Sequence, residues 1–202
     1  EKPPDDPSSY RPVCLSSVML KVMEMAIDSR TRRKLHEHNP HIFMNQSGWQ
    51  RDRGIDEQIL RVMCAAKVAH NNGNHFGMMS IDIKNCFDTV KHGKLQEKLI
   101  QAGMCAGGMH EQWIMHSLSM RKYATKVGQH TTKHAPHKWG VPQGSVLSPM
   151  VTAVYLADLN VSNWYLHHAQ YADDLLVWCE SPSLLMVKQN MMNVLGIQNS
   201  CY

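Results

Sequence analysis

Two adjacent aspartates set between apolar runs constrain this chain more than any other feature. Asp173 and Asp174 follow Tyr171-Ala172 and precede Leu175-Leu176-Val177. The segment reads as two strands joined tightly, Trp164 to Gln170 and Leu175 to Cys179. Two carboxylates beside a core repel each other and lose hydration, and the usual compensation is a hard divalent cation such as Mg2+ held by oxygen ligands. Neighbouring strand residues point to opposite faces, so only a tight turn lets both acids serve one site. The pair alone is a weak signal, because Asp5-Asp6 is another and lies in a Pro-rich linker.

Two further segments bear on chemistry. Phe76 to Ile83 reads as a buried strand that delivers Asp82 at its C-terminal end, and an aromatic, Phe87, follows five residues later. Its bland alternative is a strand end with a core phenylalanine. Gly140-Val141-Pro142-Gln143-Gly144-Ser145-Val146-Leu147-Ser148-Pro149 is a Gly/Pro-rich loop directly before a helix. Such loops expose backbone N–H groups and let a ligand or a nucleic-acid backbone come close, although a plain turn with good caps has the same composition.

Periodicity places helices between these segments. Val18 to roughly His38 carries Val18, Val22, Met25 and Ala26 on one stripe, turns basic at Arg30, Arg32, Arg33 and Lys34, and stops at Asn39-Pro40. Asp56 to His70 is a second helix with Ile59, Leu60, Met63, Cys64 and Ala66 to Val68 on its face. Lys91 to Ala102 follows, marked by Leu95, Leu99 and Ile100 and capped by Gly103, then Glu111 to Leu118. A strand pair joins near Val127-Gly128. Ser148-Pro149 is a side-chain cap with proline at the first helical position, leading into Val151, Val154, Tyr155 and Leu159. Ser181-Pro182 opens a last helix through Leu185 and Met191 to Gly196. Helices alternating with antiparallel strand pairs predict an α+β fold.

Composition narrows the partners. Hydrophobic residues make up 43% and charged residues 19%, ordinary globular usage, and no apolar run approaches the roughly 18 residues that span a bilayer, so no membrane partner is expected. The net charge of +4 suits a polyanion but is shared by many enzymes. Its distribution says more: Arg121, Lys122, Lys126, Lys133 and Lys138 lie in an interval without acidic residues, a phosphate-facing strip or a solvated hairpin. Six scattered cysteines contain no Cys-x-x-Cys pair and read as buried, reduced thiols of an intracellular protein. Thirteen histidines include no ligand quartet with zinc spacing. Glu1 and the Pro-rich residues 1–8 read as a linker inside a longer polypeptide, with no secretory signal.

Taken in order, these segments resemble the reverse transcriptases of non-LTR (LINE-type) retrotransposons, and several details come nearest to the ingi type. The resemblance runs through Ser9-Tyr10-Arg11-Pro12-Val13, Leu15-Ser16-Ser17 and Lys21, then Gln46-Ser47-Gly48-Trp49-Gln50-Arg51-Asp52-Arg53. It continues through Asp82 to Phe87-Asp88, the Gly140 to Pro149 loop, and Tyr171-Ala172-Asp173-Asp174. It implies a right-hand polymerase with an antiparallel palm sheet packed on helices. After the 1–8 linker, residues 9–202 form the polymerase domain, 9–75 mainly fingers and 76–202 mainly palm with a fingers-side insertion around 119–140, ending before the thumb.

The resemblance further implies RNA-directed DNA synthesis from retrotransposon RNA. Asp82, Asp173 and Asp174 hold two Mg2+ ions, for which Mn2+ substitutes, with the Ile83 carbonyl as an added ligand. Phe87 occupies the steric-gate position, which excludes a 2′-hydroxyl. Gln143 and Gly144 meet the incoming deoxynucleoside triphosphate, with Arg11 and Lys21 at its phosphates. Pro142, Tyr171, Ala172, Arg51 and Arg53 lie against the RNA template and DNA primer. The remaining domains of a retrotransposon polyprotein are further partners, and the nucleus and cytoplasm are the expected locations. Trp49 replaces the family's usual phenylalanine, Gln50 its basic residue and Cys86 its alanine. The changes at Trp49 and Gln50 keep open a catalytically inactive nucleic-acid-binding remnant, whereas Cys86 is a tolerable swap, and a palm polymerase that makes RNA from RNA is a third reading.

Overall fold

The computed structural model describes residues 10–136, 138–159 and 166–198. In chain order the elements are α1 (Val18–His38), α2 (Ile55–Asn71), β1 (His75–Asp82), α3 (Cys86–Thr89), α4 (His92–Gln101), α5 (Met109–Ser119) and β2 (Lys122–Tyr123). They continue with β3 (Lys126–Val127), β4 (His130–Thr131), β5 (Ala135–Pro136), α6 (Ser148–Leu156), β6 (His167–Tyr171), β7 (Asp174–Ser181) and α7 (Leu184–Gln198). This is the α+β architecture expected. The expected hairpin start at Trp164 and the residues beyond Gln198 lie outside the described residues.

The chain forms two compact units that interleave along the sequence. One comprises Glu1–Asn39 with Asn85–Tyr155, the other Pro40–Lys84 with Leu156–Tyr202. The chain therefore changes unit three times.

In the second unit, α2 and α7 pack on an antiparallel sheet of order β1-β7-β6. Alternation explains the packing, since residues two apart share a face. Ile81, Leu175, Val177 and Cys179 meet Val187 and Val194 of α7, while Trp178 and Ala169 meet Val62 of α2. β1 is an edge strand with alternating exposure, not the buried strand expected, because only β7 pairs with it. The helix α7 begins at Leu184, past the expected Ser-Pro start, and Ser181 Oγ accepts from Ser183 N at 3.2 Å.

In the first unit, Leu95 and Leu99 of α4 and Ile114 and Leu118 of α5 are buried where these helices pack. The strand pair expected near Val127-Gly128 is two short ladders, β3 with β4 and β2 with β5. The helix α6 stops at Leu156, three residues short of Leu159. The Ser148 hydroxyl donates to the Pro142 carbonyl at 2.8 Å and folds the preceding loop back on itself.

Two helices bury faces other than their apolar stripes. In α1 Val18, Val22, Met25 and Ala26 are exposed, and Glu24, Thr31 and Leu35 are inside. In α2 Ile59, Leu60, Met63, Cys64 and Val68 are exposed, whereas Gln58, Val62 and Ala69 are buried. Two cysteines read as buried, Cys64 and Cys105, are also exposed, while Cys86 and Cys179 are inside. No helix among the described residues is long and apolar enough to cross a membrane.

His168 in β6 is buried, and Asn45 Nδ2 donates to its Nε2 at 3.1 Å, which requires a neutral ring. Burial, then the charges of Arg61 and His167, hold its pKa below the ordinary 6.5. A depressed histidine pKa leaves stability intact above 6.5; as pH falls below that value the unfolded chain takes up the proton first, so stability declines. Urea unfolding well below 6.5 should therefore show a less stable protein than well above it, with a smaller decline in His168→Gln. An equal decline in both chains would remove His168 as the source.

Candidate active site

Strand register gathers the acids. In the β1–β7 ladder Asp82 stands directly opposite Asp174, and in the β6–β7 ladder Tyr171 stands opposite Asp174, leaving Ala172 and Asp173 as a two-residue turn. Directly opposed residues share a face with Cβ atoms roughly 4.5–5.5 Å apart, and like charges so placed are destabilising. No described cation relieves them, since none of the three carboxylates enters an ion pair among the described residues.

The donors expected from the sequence are the three carboxylates together with the carbonyl of Ile83, which lies just past the end of the ladder. Oxygen donors of this kind suit Mg2+. Among the described residues no three His, Cys, Asp or Glu side chains converge closely enough to enclose a metal ion. What the structure shows is the backbone register of Asp82 with Asp174.

The turn is clamped from outside the hairpin. Ala172 has φ 58°, a left-handed conformation that costs an alanine about 1–2 kcal/mol. The buried Gln46 carboxamide grips it at both ends: Oε1 accepts from Ala172 N at 2.9 Å and from Gly48 N at 2.8 Å, and Nε2 donates to Ala172 O at 2.9 Å. Backbone bonds run beside this grip, Ser47 N to Gln170 O at 3.0 Å and Gln170 N to Asn45 O at 2.8 Å. A Cβ on Gly48 would lie 2.0 Å from Ala172 N, so only glycine fits.

Arg53, expected at the template, is committed elsewhere. Its Nε and Nη2 bind Glu57 at 2.8 and 2.6 Å, Nη1 donates to Phe43 O and Gln46 O at 2.7 and 3.1 Å, and Nη2 to Met44 O at 3.1 Å. Those bonds occupy all five guanidinium N–H donors. Arg51 differs, with a side chain 95% exposed and only a loose pairing to Asp52 at 3.7 Å. Gln46 and Gly48 stand in the resembling segment without an evident role in sequence, because nothing in local periodicity shows a contact spanning 126 positions.

Phe87, Pro142, Gln143, Gly144, Arg11 and Lys21 all belong to the first unit. The Gly140–Pro149 loop is tied there through Val141 N to Phe87 O and Cys14 N to Gln143 O, both 2.7 Å. Gly144 has φ 109°, and a Cβ on it would press within 2.8 Å of Cys14 O. Arg11 and Lys21 are exposed.

Comparison with known proteins bears on this pattern of strands and loops. The family model for reverse transcriptase (RNA-dependent DNA polymerase) matches residues 1–200. The chain belongs to that family. The probable RNA-directed DNA polymerase from transposon BS of Drosophila melanogaster is 28% identical over 95% of this chain. The RNA-directed DNA polymerase from mobile element jockey, of the same organism, is 30% identical over 96%. The chain spans only 21% and 22% of those two relatives. Among solved structures, apo telomerase from Candida tropicalis aligns with a TM-score of 0.61 over 84% of this chain and 33% of its own, at 11% identity, a likeness of fold alone. Reverse transcriptases generally use divalent metal ions, in keeping with the acid register.

One basic residue of this reverse transcriptase chain leaves the expected phosphate strip. Arg121 Nη2 binds Glu24 Oε1 at 2.6 Å, and Glu24, fully buried, also accepts from Val146 N at 2.8 Å within the Gly140–Pro149 loop. Lys122, Lys126, Lys133 and Lys138 remain exposed. Removing one partner of a buried ion pair costs about 3–5 kcal/mol, because the other charge is left uncompensated. Thermal unfolding of Glu24→Ala should show a loss of that size. Lys126→Ala, on the exposed ladder, should leave the midpoint nearly unchanged.

Proposed function

We propose that this chain carries the fingers and palm of an RNA-directed DNA polymerase that copies retrotransposon RNA into cDNA. The observation that supports it most is the register that sets Asp82 against Asp174 with Asp173 in the adjoining turn, in a chain of the reverse transcriptase family. Asp82, Asp173 and Asp174 are the residues to hold two Mg2+ ions, with Ile83 adding its carbonyl. Bound there, the ions supply activation of the primer 3′-hydroxyl and neutralisation of charge on the triphosphate. The protein's own contribution is positioning, and the rigid ladder suits it because phosphoryl transfer asks little proton chemistry of side chains.

Phe87 is the residue to select deoxyribose, and Gln143 with Gly144 the contacts to the incoming nucleotide. Arg11 and Lys21, exposed and positive, suit its phosphates. Of the template residues, Arg51 has donors to give, whereas Arg53 does not. Template RNA, DNA primer and the other parts of a retrotransposon polyprotein are the partners.

A nucleic-acid-binding remnant without catalysis is the competing reading, favoured by Trp49 and Gln50. Mg2+-dependent primer extension on an RNA template separates the two. Activity that Asp173→Asn abolishes supports the polymerase, while a wild-type chain that binds primer–template yet never extends it supports the remnant. Phe87→Ala should relax the preference for deoxynucleotides. Equal use of both sugars by the unmutated chain would mean that this ring does not select the sugar.

A further inference from the structure

We propose that Gln46 is a positioning residue for the Asp173 and Asp174 carboxylates, and that Arg53 in turn holds Gln46 in place. The inference rests on the polymerase reading for its catalytic consequence, but the clamp itself is independent of it.

The hairpin lacks the residue that its turn favours. A two-residue turn with a left-handed first residue ordinarily calls for glycine there, and this chain has Ala172. The turn carries Asp173 and is followed at once by Asp174, so any relaxation of Ala172 swings both carboxylates. Gln46 opposes that relaxation by bonding the N–H and the C=O of the same alanine. One side chain that fixes both peptide groups of a residue sets its orientation, not merely its distance.

Gln46 can do this because it is itself immobile. It is 2% exposed, its Oε1 also accepts from Gly48 N, and its own carbonyl takes Arg53 Nη1. Arg53 is anchored to α2 through the bidentate contact with Glu57, and its remaining donors hold Phe43 O and Met44 O. Gln58 of α2 adds a bond to Ser47 Oγ. A continuous series of hydrogen bonds therefore runs from α2 through Arg53 and Gln46 to the turn, all within one compact unit. Polar groups that orient metal-binding carboxylates typically change metal affinity or activity by about 10–100-fold when removed.

Gln46→Met tests the idea, since it keeps the buried volume and loses all three side-chain hydrogen bonds. In the metal-free chain, amide hydrogen exchange at Ala172 should quicken about tenfold in Gln46→Met, while amides in the middle of β7 keep their protection. In primer extension the same variant should lower kcat by about 10–100-fold and raise the Mg2+ concentration for half-activity, with KM for the nucleotide little changed. Arg53→Lys, which keeps the charge facing Glu57 but cannot serve three carbonyls, should move exchange and Mg2+ requirement in the same direction by a smaller factor. Gln46→Asn, a conservative change one methylene short, should not rescue either readout.

Unchanged exchange at Ala172 in both Gln46→Met and Arg53→Lys overturns the clamp. Quickened exchange with unaltered kcat and Mg2+ dependence overturns the catalytic part. A wild-type chain that never extends primer counts against the polymerase reading, and exchange at Ala172 still decides the clamp. Should Gln46→Met fail to fold, Arg53→Lys carries the same test.

Discussion

The β1–β7 register is the constraint on which the candidate site depends. It places two carboxylates from distant parts of the chain face to face, an arrangement that costs stability unless a cation is shared. The surrounding apolar contacts hold it: Ile81 and Leu175 occupy one face while the acids stand at the ladder end. A slip of one residue would turn every side chain of the strand over, so the packing against α2 and α7 and the placement of the acids are one decision.

At Glu24 and Gln58 polar burial follows partners and not periodicity. Glu24 is inside because Arg121 and the Val146 amide meet it, and Gln58 because Ser47 and Arg61 do. A buried polar group with partners is tolerated, whereas the same group without them costs several kcal/mol. This explains why α1 and α2 hide glutamate and glutamine while valines, leucines and methionines of the same helices stand outside. An apolar stripe shows that a helix is amphipathic, but not which neighbour it meets.

The basic interval shows the same limit. Its lack of acids suggested one uniform strip, yet Arg121 is neutralised by a glutamate 97 positions away, and Arg53, another expected nucleic-acid contact, by one four positions away. Arg53 shows that even a neighbouring partner is hard to assign, because the three carbonyls it also binds become available only once the 43–46 turn is formed.

From the residues alone came most of the helix positions, the strand pair about Tyr171–Asp174, the α+β class and the family. These are legible because each rests on short-range periodicity, on turn chemistry, or on a motif whose spacing is local. Tertiary structure alone decided which helix faces are buried, that Asp82 pairs with Asp174, and that Gln46 and Arg53 brace the turn. Those contacts join residues up to 126 positions apart, and pairing at that separation is set by the whole packing arrangement, which no stretch of neighbouring residues encodes.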